Sequence, residues 1–230
     1  MGIVDTILVA LAREAKIATT AARASASNVA IEITGMGPVR ARIGAQRQLA
    51  AGATSLLSVG FAGALRAPRD VGDLLLPDEV ADAFGHRYTV DAGLHRDLSR
   101  ALSAQFRLCR GTLASVDHVV SDVARKNTLA AALDADAVDM ESAAIARVAR
   151  DARVPFAALR VVCDGPGQRI PACLDGAVDA YGHVIIARLG VGLALRPWQF
   201  LELIRLGVST ANAGRVLERA LRSVLVECRC

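Results

Sequence analysis

The sequence predicts a single α/β domain with a central, mixed, mostly parallel twisted sheet and helices on both faces. Three observations carry that prediction. Short apolar runs alternate with longer helical patterns from one end of the chain to the other, and no Gly/Ser/Pro-rich linker interrupts them. The chain is 53% hydrophobic yet only 3% aromatic, so its core volume comes from Ala, Val, Leu and Ile, the usual make-up of strands covered on both faces. At 230 residues it has the length for one well-buried core.

The elements follow from periodicity. An apolar run near 3–11 predicts the first strand, 13–25 a helix, 28–34 a strand and 38–51 a helix. Two short strands near 54–60 and 73–80 come next, bounded by glycines and Pro77. Then come a helix over 94–105, a strand over 107–115, helices over 121–133 and 139–152, and a strand over 155–162. The C-terminal part, about 173–227, reads as helical: 173–188, a less regular apolar stretch over 189–208, and a final helix near 211–227. In that last helix Val216, Leu217, Ala220, Leu221, Val224 and Leu225 make one apolar stripe, which predicts docking on the domain.

Charge and cysteine use narrow the function classes. The net charge of +4 comes from arginines scattered among acids, with no run of five like charges, so a nucleic-acid groove is not indicated. Five dispersed cysteines do not resemble a secreted disulfide framework and fit a reducing cytoplasm. Cys228 and Cys230 lack the second pair that a metal site needs, so no metal is expected. The run from Ile3 to Ala12 carries Asp5 and lacks a basic start, and the run from Val184 to Leu195 holds Arg188. Neither is long enough to span a bilayer.

The chemistry concentrates where Val138-Asp139-Met140-Glu141-Ser142-Ala143-Ala144 opens an alanine-rich helical pattern. A strand with Arg160 follows and ends in Cys163-Asp164-Gly165-Pro166-Gly167. Packing alone explains Asp139 as a helix cap and Glu141 as a first-turn acid. Read with the strand end, where α/β proteins place ligands, the set resembles the signature of the nucleoside phosphorylase and nucleosidase superfamily, above all the 5′-methylthioadenosine/S-adenosylhomocysteine nucleosidases. The resemblance extends to Ile7 through Glu14, Thr34-Gly35-Met36-Gly37-Pro38-Val39, Val59-Gly60-Phe61-Ala62-Gly63-Ala64-Leu65, Val71-Gly72-Asp73-Leu74 and Gly111 through Asp117. That family reads Val-Glu-Met-Glu and Ser-Asp, so Asp139 and Cys163 are departures. The overall texture, notably Arg169-Ile170-Pro171 through Arg196-Pro197-Trp198-Gln199-Phe200, is most similar to hopanoid-associated phosphorylases acting on adenosylhopane.

The resemblance implies a role for each residue. Asp164 would be the acid that protonates the departing purine, which requires a raised pKa such as burial supplies. Glu14 would position the nucleophile together with Arg160. Glu141 would accept hydrogen bonds from ribose hydroxyls, bonds that strengthen as the sugar becomes cationic. Met140 would pack on sugar or base. Asp139, one methylene shorter than the family's Glu, leaves any direct hydroxyl contact open. Phe61 replaces a small hydroxyl residue and offers an apolar face instead. Val119 stands where nucleosidases stack an aromatic on adenine, so base recognition would rest more on backbone near Val120. His118 reads as structural or as a base contact.

Two nucleophiles are open. A Glu14 carboxylate facing the nucleophile disfavours phosphate and leans the reading to hydrolysis. Arg13 and Arg40, at strand-end turns, could instead bind inorganic phosphate as a co-substrate. Gly35-Met36-Gly37 lacks the third glycine of a dinucleotide fingerprint, with Arg40 in its place, so no cofactor is expected. The sequence therefore points to an enzyme that cleaves the purine N-glycosidic bond of an adenosine, with adenosylhopane first among substrates. The alternatives are a general methylthioadenosine/adenosylhomocysteine nucleosidase, a purine nucleoside phosphorylase and, more remotely, a non-catalytic nucleoside- or lipid-binding protein. A homo-oligomer without a transmembrane segment is expected, with peripheral membrane contact open.

Overall fold

A computed structural model describes residues 3–226 of the chain. Its centre is a pair of nine-residue strands, β3 (Leu56–Ala64) and β10 (Phe156–Asp164), which lie parallel and in register from Leu56↔Phe156 onward. Both are buried almost throughout, as near-continuous apolar runs in parallel sheets are.

On its other edge β3 meets two strands. β1 (Thr6–Val9) runs parallel to its first half, with Leu8 opposite Ser58, while β9 (Ala137–Asp139) runs antiparallel to its last residues, with Val138 opposite Gly63. β1 and β9 therefore end pointing at each other across residues 59–62 of β3. That unpaired stretch of strand edge is where the site forms.

The rest of the ten-stranded sheet extends from these strands. β2 (Ala30–Ile33) adds to β1; β8 (Thr112–Ser115), β5 (Glu79–Asp82) and β6 (Arg87–Thr89) continue from β9; β4 (Leu74–Leu75) pairs with β10 and β7 (Leu108–Cys109) adds to β4. Most pairings are parallel. The helices fall into two packed groups. α1 (Ala12–Ala24), α3 (Ala92–Ser103) and α7 (Phe200–Val226) pack together and onto β10, while α2 (Pro38–Ala50) packs on α5 (Ser142–Ala152). α4 (Val123–Leu133) is capped by Asp122, whose carboxylate accepts the Arg125 N–H, as Asp91 caps α3.

Four predicted elements differ. The single strand expected near 73–80 is two, β4 at Leu74–Leu75 and β5 at Glu79–Asp82, which lie in different parts of the sheet. The helix expected from 139 begins at Ser142, because residues 137–139 pair with β3 and β8 as a strand. The single strand over 107–115 is two, separated by Gly111 at φ +126°. The C-terminal segment is less helical at its start and more so at its end. A 3₁₀ turn at Ala172–Leu174 is followed by irregular chain; α6 covers Ile186–Leu195, a second 3₁₀ turn Pro197–Gln199, and α7 then runs from Phe200 to Val226, so the stretch read as irregular is helical with one break between α6 and α7. The stripe in α7 does dock: Leu217, Ala220, Leu221, Val224 and Leu225 are fully buried, while α6 and the first turns of α7 stay largely exposed. Cys228 and Cys230 lie outside the described residues.

Candidate active site

Three chain reversals converge on the open edge of β3. Past β1, the backbone turns into α1 and brings Glu14 back beneath the strand ends. Its Oε2 accepts the N–H of Ala10 (3.0 Å) and Leu11 (2.9 Å), and its Oε1 accepts the N–H of Phe61 (2.9 Å). The carboxylate thus satisfies a strand-edge N–H that no neighbouring strand reaches. Gly60 makes this fit, since a Cβ there would stand 2.5 Å from Glu14 Oε1. Gly63 does the same for Asp164, whose Oδ2 lies 3.0 Å from where a Cβ would be. The two glycines of Gly60-Phe61-Ala62-Gly63 are therefore seats for two carboxyl groups.

Past β9, Asp139 accepts the Ser142 N–H (3.2 Å) and so caps α5, while it also holds Arg160 through Nε (2.9 Å) and Nη2 (2.6 Å). Ser58 Oγ (2.7 Å), Ser142 Oγ (2.9 Å) and the Leu159 carbonyl (3.1 Å) accept its other hydrogen bonds. Glu141 turns the other way, and its Oε1 accepts the Gly37 N–H at 2.8 Å. Gly37, at φ +95°, opens α2 ahead of Pro38. The Gly37 N–H that opens this turn is therefore engaged by a side chain.

From β10, Asp164 meets Lys126 of α4, which donates to its Oδ2 and to the carbonyls of Gly165 (2.8 Å) and Gln168 (3.1 Å). Lys126 has no exposed surface. The Cys163 thiol, which burial pushes well above its usual range, donates to Asp164 Oδ1 (3.4 Å).

Four buried carboxyl groups thus face two buried cations. Asp139 pairs with Arg160 and Asp164 with Lys126, which leaves Glu14 and Glu141 without a cation in contact. Burial pushes Glu14 up, against its backbone hydrogen bonds and the attraction of Arg160. Burial, with the Asp139 charge beside it, pushes Glu141 up to about 8. If Glu141 holds the ribose, as the resemblance implies, a carboxyl at that value must lose its proton to accept from two hydroxyls. Hence kcat/KM for an uncharged nucleoside should rise about tenfold per unit as pH climbs toward 8, then level. Glu141→Gln should flatten that limb and lower kcat more than it raises KM. A wild-type profile already level below pH 6 would detach Glu141 from the reaction.

The cleft among these groups is lined by Glu14, Phe61, Val119, Val120, Asp139, Met140, Glu141 and Asp164, with His118 at its exposed mouth. Three predicted residues stand elsewhere. Arg160 lies buried behind Asp139, where its charge reaches Glu14 but its donors face protein acceptors. Arg13 is exposed and lies along α7 beside Gly214, and Arg40 is exposed on α2 with its stem against Gly35. Neither Arg13 nor Arg40 lines the cleft. Sequence reading missed Lys126, Ser58 and Ser142. A signal for Lys126 existed, since it shares one helical face with Ala130 and Leu133.

Fold and site together define a carboxylate-rich cleft at converging strand ends of a mixed α/β sheet. The chain belongs to the Phosphorylase superfamily, whose profile matches residues 10–180. It is 27% identical to the 5′-methylthioadenosine/S-adenosylhomocysteine nucleosidase of Shewanella denitrificans over 68% of this chain and 76% of that one. It is 30% identical to the aminodeoxyfutalosine nucleosidase of Campylobacter jejuni, a match that spans 51% of this chain and 59% of the relative. Among solved structures, the fold matches the futalosine hydrolase of Helicobacter pylori with a TM-score of 0.73 at 18% identity, covering 96% of this chain and 97% of that one. The S-adenosylhomocysteine nucleosidase of Streptococcus pyogenes, complexed with 5-methylthiotubericidin, matches with a TM-score of 0.72 at 17% identity, covering 98% and 97%.

Proposed function

We propose that this chain is an N-glycosidic-bond-cleaving enzyme, a nucleosidase that releases adenine from an adenosine derivative. The observation that carries the reading is the convergence of Glu14, Glu141 and Asp164 in one cleft from three separate chain reversals. Cleaving a ribose–purine bond needs a placed nucleophile, support for a cationic sugar and a proton for the base. As in glycoside hydrolysis, carboxyl groups divide that work. In this reading Glu14 orients the nucleophile, Glu141 holds the ribose hydroxyls, Met140 packs on the sugar, and Val119 and Val120 border the base that Asp164 protonates. A non-catalytic binding protein has no use for an acid at the base, and adenine release from methylthioadenosine separates the two readings.

Water is the nucleophile in this proposal. Arg13 and Arg40 lie away from the cleft, so neither supplies a cation for phosphate there, and Glu14 would repel a dianion beside it. Product analysis tests this. The rate should be flat in added phosphate and the sugar should carry a free C1 hydroxyl. A phosphate-dependent rate with a sugar 1-phosphate product would overturn hydrolysis.

For the 5′ substituent we favour a long hydrocarbon, as in adenosylhopane. The loop at 167–170 separates two spaces: Ile170 lines the cleft, while Gly167, Gln168 and Arg169 border a groove of about 710 Å³ walled by Glu202, Ile204, Arg205, Val208 and Ser209 of α7. Val191, Trp198 and Leu201 stand next in sequence, 63–69% exposed, a concentration of apolar surface that a hydrocarbon would cover. If so, Trp198→Ala and Phe200→Ser should depress turnover of an adenosine with a long 5′ hydrocarbon while sparing methylthioadenosine. Equal losses on both substrates, or dissociation of an oligomer in sedimentation, would instead assign these residues to assembly and favour a general methylthioadenosine/adenosylhomocysteine nucleosidase.

A further inference from the structure

Lys126 is a fully buried ammonium whose hydrogen-bonding capacity is used up. Its three protons match three acceptors: Asp164 Oδ2 and the carbonyl oxygens of Gly165 and Gln168. A buried charge of this kind is costly unless paired, and nothing in the packing of α4 calls for a lysine where Ala130 and Leu133 continue the same apolar face. Its one charged partner is the carboxyl group assigned to the base. The charged and titratable groups around the pair are Cys163 on β10, Glu14 on α1, and Asp139 and Glu141 ahead of α5, with His118 at the mouth.

We propose that Lys126 is a positioning residue that recharges Asp164, so that the two side chains work as one acid; this rests on the adenine-releasing reading above. In the resting pair Asp164 is the carboxylate and Lys126 the ammonium. As the C1′–N9 bond breaks, its electron pair leaves on N9, Lys126 Nζ gives one proton to Asp164 Oδ2, and the acid so formed passes that proton to purine N7. The carboxylate is restored, and the neutral amine keeps two N–H groups for the Gly165 and Gln168 carbonyls. Water bonds to C1′ and gives up one proton, which restores the ammonium. Without Lys126, Asp164 would have no buried proton source behind it.

The test is kcat at saturating methylthioadenosine, read beside cleavage of p-nitrophenyl riboside, whose leaving group needs no proton. Wild-type adenine release comes first, because its absence would refute the nucleosidase reading rather than this one. Given that release, Lys126→Met should lower kcat for methylthioadenosine by at least about 10²-fold, as the loss of an acid's proton supply does. Cleavage of p-nitrophenyl riboside should stay within about threefold of wild type. A loss of adenine release below about threefold, or equal losses on both substrates, would overturn the proposal. If Lys126→Met fails to fold, Lys126→Met/Asp164→Asn removes both charges and supplies the second reading. Its adenine release should match that of Asp164→Asn alone, because a proton supply without its recipient has nothing to act on. A further loss beyond about threefold would likewise overturn it.

Discussion

Asp164→Asn is expected to slow adenine release by about 10²–10⁴-fold, or roughly 3–5 kcal/mol of barrier, with nucleoside affinity nearly unchanged. An amide has the shape of the carboxyl and can still accept from Lys126, so the cleft should keep its form. What it cannot do is hand a proton to the purine as the glycosidic bond breaks. The structure adds a control that sequence alone does not suggest. Because the substitution leaves the Lys126 ammonium buried without a carboxylate, the variant's urea midpoint must be measured beside its rate, so that lost folding is not read as lost chemistry. Single-turnover release of adenine, with binding measured separately, checks the expectation. A variant within about threefold of wild type would remove Asp164 from the mechanism.

How far the sequence alone reached depends on the kind of residue asked about. The alternation of strands and helices was legible because long parallel strands such as β3 and β10 are uninterrupted apolar runs and the helices between them keep a clean period. β9 was not. Three residues are too few to show a period, and its strand character comes from partners in β3 and β8 that are distant in the chain. Asp139 therefore looked like the start of a helix, when it is the end of a strand and the cap of α5 together. The continuity of α7 was hidden for another reason. Its first turns carry apolar residues on several faces, with only its later turns, from Ala213 on, seated on the domain.

At the site, Glu14, Glu141 and Asp164 were found because their motifs are local, and the cleft does gather them. The partners that set their charge come from other elements. Lys126 reaches Asp164 across 38 residues and Arg160 reaches Asp139 across 21, and no spacing rule in one sequence connects such pairs. The resemblance assigns Arg160 to the nucleophile. The geometry gives it Asp139, Ser58 and Ser142, so it acts on Glu14 through charge at a distance.

That arrangement makes Arg160→Met the most destabilising single change we expect, at about 3–5 kcal/mol by denaturant unfolding. The methionine fills much of the stem's volume, but it leaves the Asp139 carboxylate in a site almost closed to water, with only the Ser142 N–H and a longer contact to the Glu141 N–H to hold it. The loss should propagate, because Asp139 caps α5 and fixes the turn that presents Glu141 to Gly37. Asp139→Asn/Arg160→Met removes both charges at once, and its stability should return most of the way to wild type, since a neutral pair in the same space carries no uncompensated charge. Catalysis should not return with it. The Arg160 charge favours the ionised form of Glu14, so a stable double variant should still bind nucleoside but activate its nucleophile poorly. Additive costs in the two single variants, with no recovery in the double, would mean that the shape of the guanidinium network, rather than its charge, holds this part of the fold.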